Sequence, residues 1–172
     1  MTISNYERYF VPDCVSVTCE TFGRQAALSS KPSMHLMRPV LGAVKRRHPF
    51  QMLGFVFLPD HAHLLIKPAD GVTLDQIMHD LFNTFEHDHR EMMGIPSSAP
   101  VWQRSYRKVR VHEIDEFADR LDFIHYNPVD HGLAERPEEW PHSSYAAWVE
   151  RNVYKLGWGW ETPERLTGKR WE

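Results

Sequence analysis

Residues 50–68, FQMLGFVFLPDHAHLLIKP, hold two apolar runs of strand length separated by Pro59-Asp60. They read as an antiparallel hairpin, because a Pro-Asp turn between two runs rich in Phe, Val, Leu and Ile is a strand-turn-strand pattern. Side chains alternate along a strand, so His61 and His63 point the same way, with the small Ala62 between them. Their imidazoles can then converge on one divalent metal. The same pair also suits a blander role, in which the histidines cap a strand or hydrogen-bond within the core.

The rest of the chain supplies what such a hairpin packs against. Val11, Val15, Val17 and Cys19 alternate through a first strand over residues 9–20. Pro32-Ser33 opens a helix whose apolar stripe is Leu36, Val40, Leu41 and Val44, with Lys45, Arg46 and Arg47 at the end where cations suit the macrodipole. Pro39 weighs against one unbroken helix there. Thr73 and Gln76 form a capping-box signature for a second helix, and Leu74, Ile77, Met78, Leu81, Phe82 and Phe85 carry it to about residue 92. The stretch 94–101 reads as a loop, 105–112 as a further strand, and 114–129 as a third helix that His131-Gly132 stops. This order predicts an α+β fold, a ferredoxin-like split βαβ whose antiparallel sheet has its helices packed on one face.

A length of 172 residues suits one domain over 1–148, followed by an aromatic-rich tail over 149–172. The net charge of −3 makes no global electrostatic case for nucleic acid, so that case rests on local clustering. Cys14 and Cys19 fall on opposite faces of the first strand, which argues against a disulfide and a shared metal and for free thiols. No apolar stretch reaches the length of a membrane span and the N-terminus lacks a signal-peptide layout, so a cytoplasmic protein is expected.

Four motifs, RYFVPDCVSVTCETFGRQ, LPDHAHLLIKP, WQRSYRKVRVHEIDEF and DFIHYNPVDHGLAERPEEWPHSSY, make residues 6–148 resemble a single-tyrosine HUH transposase. The likeness is to the repeat-associated (REP-type) branch of the insertion-sequence transposase-like family. It implies a protein that binds hairpin-forming single-stranded DNA, as monomer or homodimer, and cuts and rejoins it through a phosphotyrosine with Mg²⁺ or Mn²⁺. Matched to the family pattern, His61, His63 and Asn127 fall on the metal ligands, and Phe123 falls on the nucleophilic tyrosine.

Phenylalanine has no oxygen with which to attack phosphorus. Three accounts compete: an introduced Tyr→Phe change, a chain that has lost cleavage and kept binding, or service by Tyr126, which lies about 60° round the helix from position 123. Tyr126 equally suits a core aromatic. DNA contacts are expected from Trp102, Arg104, Tyr106, Arg107, Lys108 and Arg110, where cations would neutralise phosphates and aromatics would stack on bases. An ordinary solvated strand edge is the competing explanation. His125 reads as a surface or hydrogen-bonding residue. His79, His87 and His89 read as a solvated helix face, since His87 and His89 lie about 200° apart. Two other classes stay open: a hairpin-binding module without cleavage, and a metal hydrolase built on His-x-His.

Overall fold

The computed structural model describes residues 4–95 and 98–171; Pro96 and Ser97 of the expected loop, the first three residues and Glu172 lie outside the described residues. The elements run α1 (Ser4–Glu7), β1 (Cys14–Glu20), α2 (Lys31–Arg47), β2 (Phe50–Phe57), β3 (His61–Pro68), α3 (Leu74–Met93), β4 (Arg107–Val111), α4 (Ile114–Asp130) and α5 (Tyr145–Glu150). The strands form one sheet in the order β2-β3-β1-β4, with every neighbouring pair antiparallel. This is the ferredoxin-like split βαβ arrangement, and the α+β class holds.

Local chemistry sets the helix ends. Ser30 accepts from the Ser33 N–H at 3.2 Å to start α2, which then runs through Pro39 without a break. Thr73 and Gln76 exchange both capping-box hydrogen bonds at the start of α3, and Gly94, at φ 63°, ends it in the left-handed conformation that glycine adopts without strain.

The expected one-sided packing needs correction. The crossover helices α2 and α3 do share a face, burying Met37, Val40, Val44, Ile77, Leu81 and Phe85 against Val15, Val17, Ala62, Leu64 and Ile66. The opposite face is covered too, by Phe117, Leu121 and Ile124 of α4 against Cys14, Leu65 and Val111. The reason lies in β3, where six consecutive residues from His61 to Ile66 are buried, so both surfaces of that interior strand need cover. Cys14 and Cys19 belong to opposite cores and are free thiols.

Gly54 lies at a register shift in β2 where α4 passes close by. A Cβ there would stand 2.9 Å from Leu121 Cδ2. The outer edge of β2 is closed by the segment after α4: the Phe57 N–H donates to His142 O at 2.8 Å, and the Ser144 N–H to Phe55 O at 2.9 Å. Trp148 Nε1–H adds a bond to Leu53 O at 2.9 Å. Beyond α5, Val153, Tyr154 and Leu166 of the tail are buried in the α4-side core. No helix among the described residues is long and apolar enough to cross a membrane.

Candidate active site and nucleic-acid interface

β3 is interior to the sheet, and His61 and His63 are 2% and 1% exposed on its α4 side. Their rings lie 5.0 Å apart, centroid to centroid. Each has its Nδ1 engaged by a neighbour. Asp60 Oδ1 lies 2.7 Å from His61 Nδ1, and Thr18 Oγ1 lies 2.9 Å from His63 Nδ1. In the tautomer that donates from Nδ1, each ring carries its lone pair on Nε2, an arrangement that supporting carboxylates commonly impose on metal-bound histidine. Burial alone would raise the Asp60 pKa, but its bond to His61 and the charge of Arg24, 3.2 Å away, hold that carboxyl below the usual range.

One face of α4 lies over these rings. Phe123 stands 4.9 Å from His63 and His131 stands 5.0 Å from His61, ring centroid to ring centroid. Asn127 lies one helical turn from each of them and therefore on the same face, between the two contacts, 1% exposed. No cluster of three or more His, Cys, Asp or Glu side chains among the described residues could hold a metal. Any cation here would rest on two imidazoles and a carboxamide, a donor set that accepts Mg²⁺ and suits Mn²⁺ better. His131 is a neighbour that the sequence presented only as a helix stop.

Phe123 is 7% exposed, and Trp171 of the tail lies 5.8 Å from its ring, with the Arg120 guanidinium 4.6 Å over the indole. The tail thus roofs position 123. Tyr126, the other tyrosine position on this helix, is turned to the tail: its hydroxyl lies 3.3 Å from Thr162 Oγ1, and its ring lies beside Gly159.

The expected DNA-binding residues divide. Trp102 is fully buried between Phe82 and Phe85, each 5.6 Å away, so it presents no face to a base and instead anchors the strand. Arg104 is bound to Glu86 at 2.7 Å. That buried carboxylate also accepts from the Val101 and Trp102 N–H groups at 2.9 and 3.1 Å and so fastens the segment to α3. Tyr106 donates to Asp75. Arg107, Lys108 and Arg110 are exposed. Register puts Arg107 on the sheet face of Thr18 and His63, while Lys108 and Arg110 share the opposite face with Val17 and Val15. Elsewhere, Arg47 pairs with Asp80 at 2.8 Å, the local use expected of a helix-terminal cation.

Of two other histidines, one departs from its expected setting and one takes the second of its two expected roles. His89 is buried rather than solvated, stacked on Phe85 with Nε2 3.0 Å from Ser33 Oγ. His125 is a fully buried hydrogen-bonding residue, its Nδ1 2.7 Å from the Tyr154 hydroxyl and its Nε2 2.7 Å from Ser144 Oγ. Burial drives its pKa down to about 3, so the ring is neutral. Tyr154 continues the network to Asp122 Oδ1 at 3.2 Å, where Tyr6 also donates at 2.5 Å.

No family model matches the chain. It is 21% identical over 168 residues to a REP-associated tyrosine transposase of Escherichia coli, covering 98% of both chains. It is 28% identical over 136 residues to a Haemophilus influenzae protein named for the same family, covering 70% of this chain and 73% of the other. A solved structure of a REP-associated tyrosine transposase bound to a REP hairpin superposes with a TM-score of 0.74 at 22% identity, over 96% of each chain, and so shares the fold. The chain is thus similar along its length to proteins named REP-associated tyrosine transposases and has the fold of the one solved with a REP hairpin.

Proposed function

We propose that this protein is a transposase-type protein that recognises single-stranded DNA folded into a hairpin and, with Phe123 in the nucleophile's place, holds it without forming a covalent adduct. The relative solved with a REP hairpin supports the choice of partner. Exposed Arg107, Lys108 and Arg110 supply the local positive charge that phosphate binding requires in a chain of net charge −3. His61, His63 and Asn127 would hold Mg²⁺ or Mn²⁺, whose contribution when bound is to neutralise charge on a phosphate oxygen. Asp60 and Thr18 orient the two imidazoles, and burial keeps bulk water from them.

The observation that carries the reading is the Phe123 ring, 4.9 Å from His63 at the position matched to the family's tyrosine. A phenol there would be placed to attack; a phenyl ring is not. The test uses a labelled hairpin oligonucleotide with Mn²⁺. The unchanged chain should retain the hairpin over an unstructured strand of equal length and give no denaturant-resistant adduct, whereas Phe123→Tyr should give one. An adduct with the unchanged chain that Tyr126→Phe abolishes would overturn the reading and return Tyr126 to the chemistry.

A further inference from the structure

Two histidines outside the site described above meet at the β2 edge of the sheet. His35 is exposed on α2, which packs on the sheet face opposite α4, and His142 is half-buried in the segment that closes the outer edge of β2. Their ring centroids stand 5.3 Å apart, with the planes tilted by 53°. That separation is close to the 5.0 Å between His61 and His63. Neither ring makes a hydrogen bond or ion pair among the described residues, whereas His79, His87, His89 and His112 each bond a neighbouring side chain. Two adjacent imidazoles whose nitrogens have no protein partner offer the donors that a shared cation needs.

Both rings stand on anchored backbone. Met34 and Met37 are buried on the inner side of α2, so they fix the rotation of that helix and with it the face that carries His35. Three residues on, Arg38 donates to Pro141 O at 3.1 Å and draws the closing segment onto α2. The Phe57 N–H holds His142 O at 2.8 Å. Trp140, tied by its Nε1–H to Phe57 O at 2.9 Å, stands edge-on to the His142 ring at 5.6 Å. Burial above all, then the neighbouring His35 and Arg38, lowers the His142 pKa, so that this ring is neutral near neutral pH and keeps a lone pair for a metal.

We propose that His35 and His142 form a second metal site, for Zn²⁺ or a neighbouring late first-row cation, which ties α2 to the segment that closes β2. No third His, Cys, Asp or Glu completes a cluster with them among the described residues, so water fills the remaining positions. Two nitrogen donors with no oxygen ligand do not suit Mg²⁺. Zn²⁺, Ni²⁺ and Cu²⁺ bind imidazole strongly enough to tolerate the guanidinium of Arg38, which is engaged by Pro141 O and lies over the Phe55 ring at 4.9 Å. The site therefore differs from the one proposed at His61, His63 and Asn127 both in position and in the metal it selects. It stands or falls independently of hairpin binding.

The experiment titrates metal-free protein with Zn²⁺ in a calorimeter and follows the imidazole signals by NMR. In the unchanged chain the His35 and His142 signals should move together as a single ion binds, and Mg²⁺ should move neither. Zinc taken up at His61 and His63 moves those two rings instead. His35→Ala and His142→Ala should each weaken the new site by about 100-fold, the scale on which a linked second contact adds to a first, and the double variant should weaken it little further. Zinc should also raise the thermal unfolding temperature of the unchanged chain by more than that of His35→Ala, in which only an exposed ring is removed. Zinc uptake that is unaltered in both single variants overturns the proposal. So do small losses that add in the double variant, because two rings binding separately share no ion.

Discussion

Asp60 reads in the sequence as a turn residue, and in the fold it is the partner of His61. Its carboxylate accepts from Nδ1 at 2.7 Å and so favours the tautomer whose lone pair is on Nε2, the nitrogen that would meet a cation under the proposed function. Removing such an outer partner commonly costs about 10- to 100-fold in metal affinity. Asp60→Ala should therefore weaken Mn²⁺ binding by that factor in calorimetric titration without DNA, while Asn127→Ala weakens it through the donor set itself. If Asp60→Ala binds Mn²⁺ like the unchanged chain, the carboxylate serves the turn alone. The facing of His61 and His63 was legible because strand periodicity is strict. Asp60 and His131 were not, since a turn residue and a helix-stop residue acquire their neighbours only when β3 and α4 meet.

The docking of α4 on the sheet is the element that completes the site, and it depends on a close approach at Gly54. A branched side chain there would meet Leu121 in a fully buried layer. Gly54→Val should lower stability in chemical denaturation by about 1–3 kcal/mol, the usual cost of overpacking. A change within a few tenths would mean that Leu121 swings aside. The strand and helix order was readable from apolar periodicity, including the capping box of α3. What periodicity omits is the side of the sheet a third helix takes, and here the unbroken burial of β3 was the available clue. Trp102 was misread for a related reason: aromatics interleaved with arginines look like a surface stripe until Phe82 and Phe85 close around one of them.

Across the whole molecule, the network behind α4 ties α1, α5 and the tail to the helix that carries positions 123, 127 and 131. Tyr6 and Tyr154 both donate to Asp122, and Tyr154 links through His125 to Ser144, which accepts from the Phe55 N–H at 2.9 Å. Burial raises the Asp122 pKa from 3.8 to about 7, outweighing the phenol hydrogen bonds and the charge of Arg165. A carboxyl whose folded pKa exceeds its unfolded one contributes stability that is full below the unfolded value and is lost as pH rises through the folded value. Thermal unfolding followed from pH 4 to 8 should show stability falling across that window, with a shallower fall in Asp122→Asn. Identical slopes for the two proteins would remove Asp122 from the account.

The two imidazoles belong to an interior strand, while Asn127 and position 123 belong to a helix that reaches them only by lying across the sheet. An intermediate that retained its strands and shed α4 would keep the histidine pair and lose both Asn127 and the ring at position 123. The constellation is thereby made a report on complete assembly, absent from any copy whose last long helix has yet to dock.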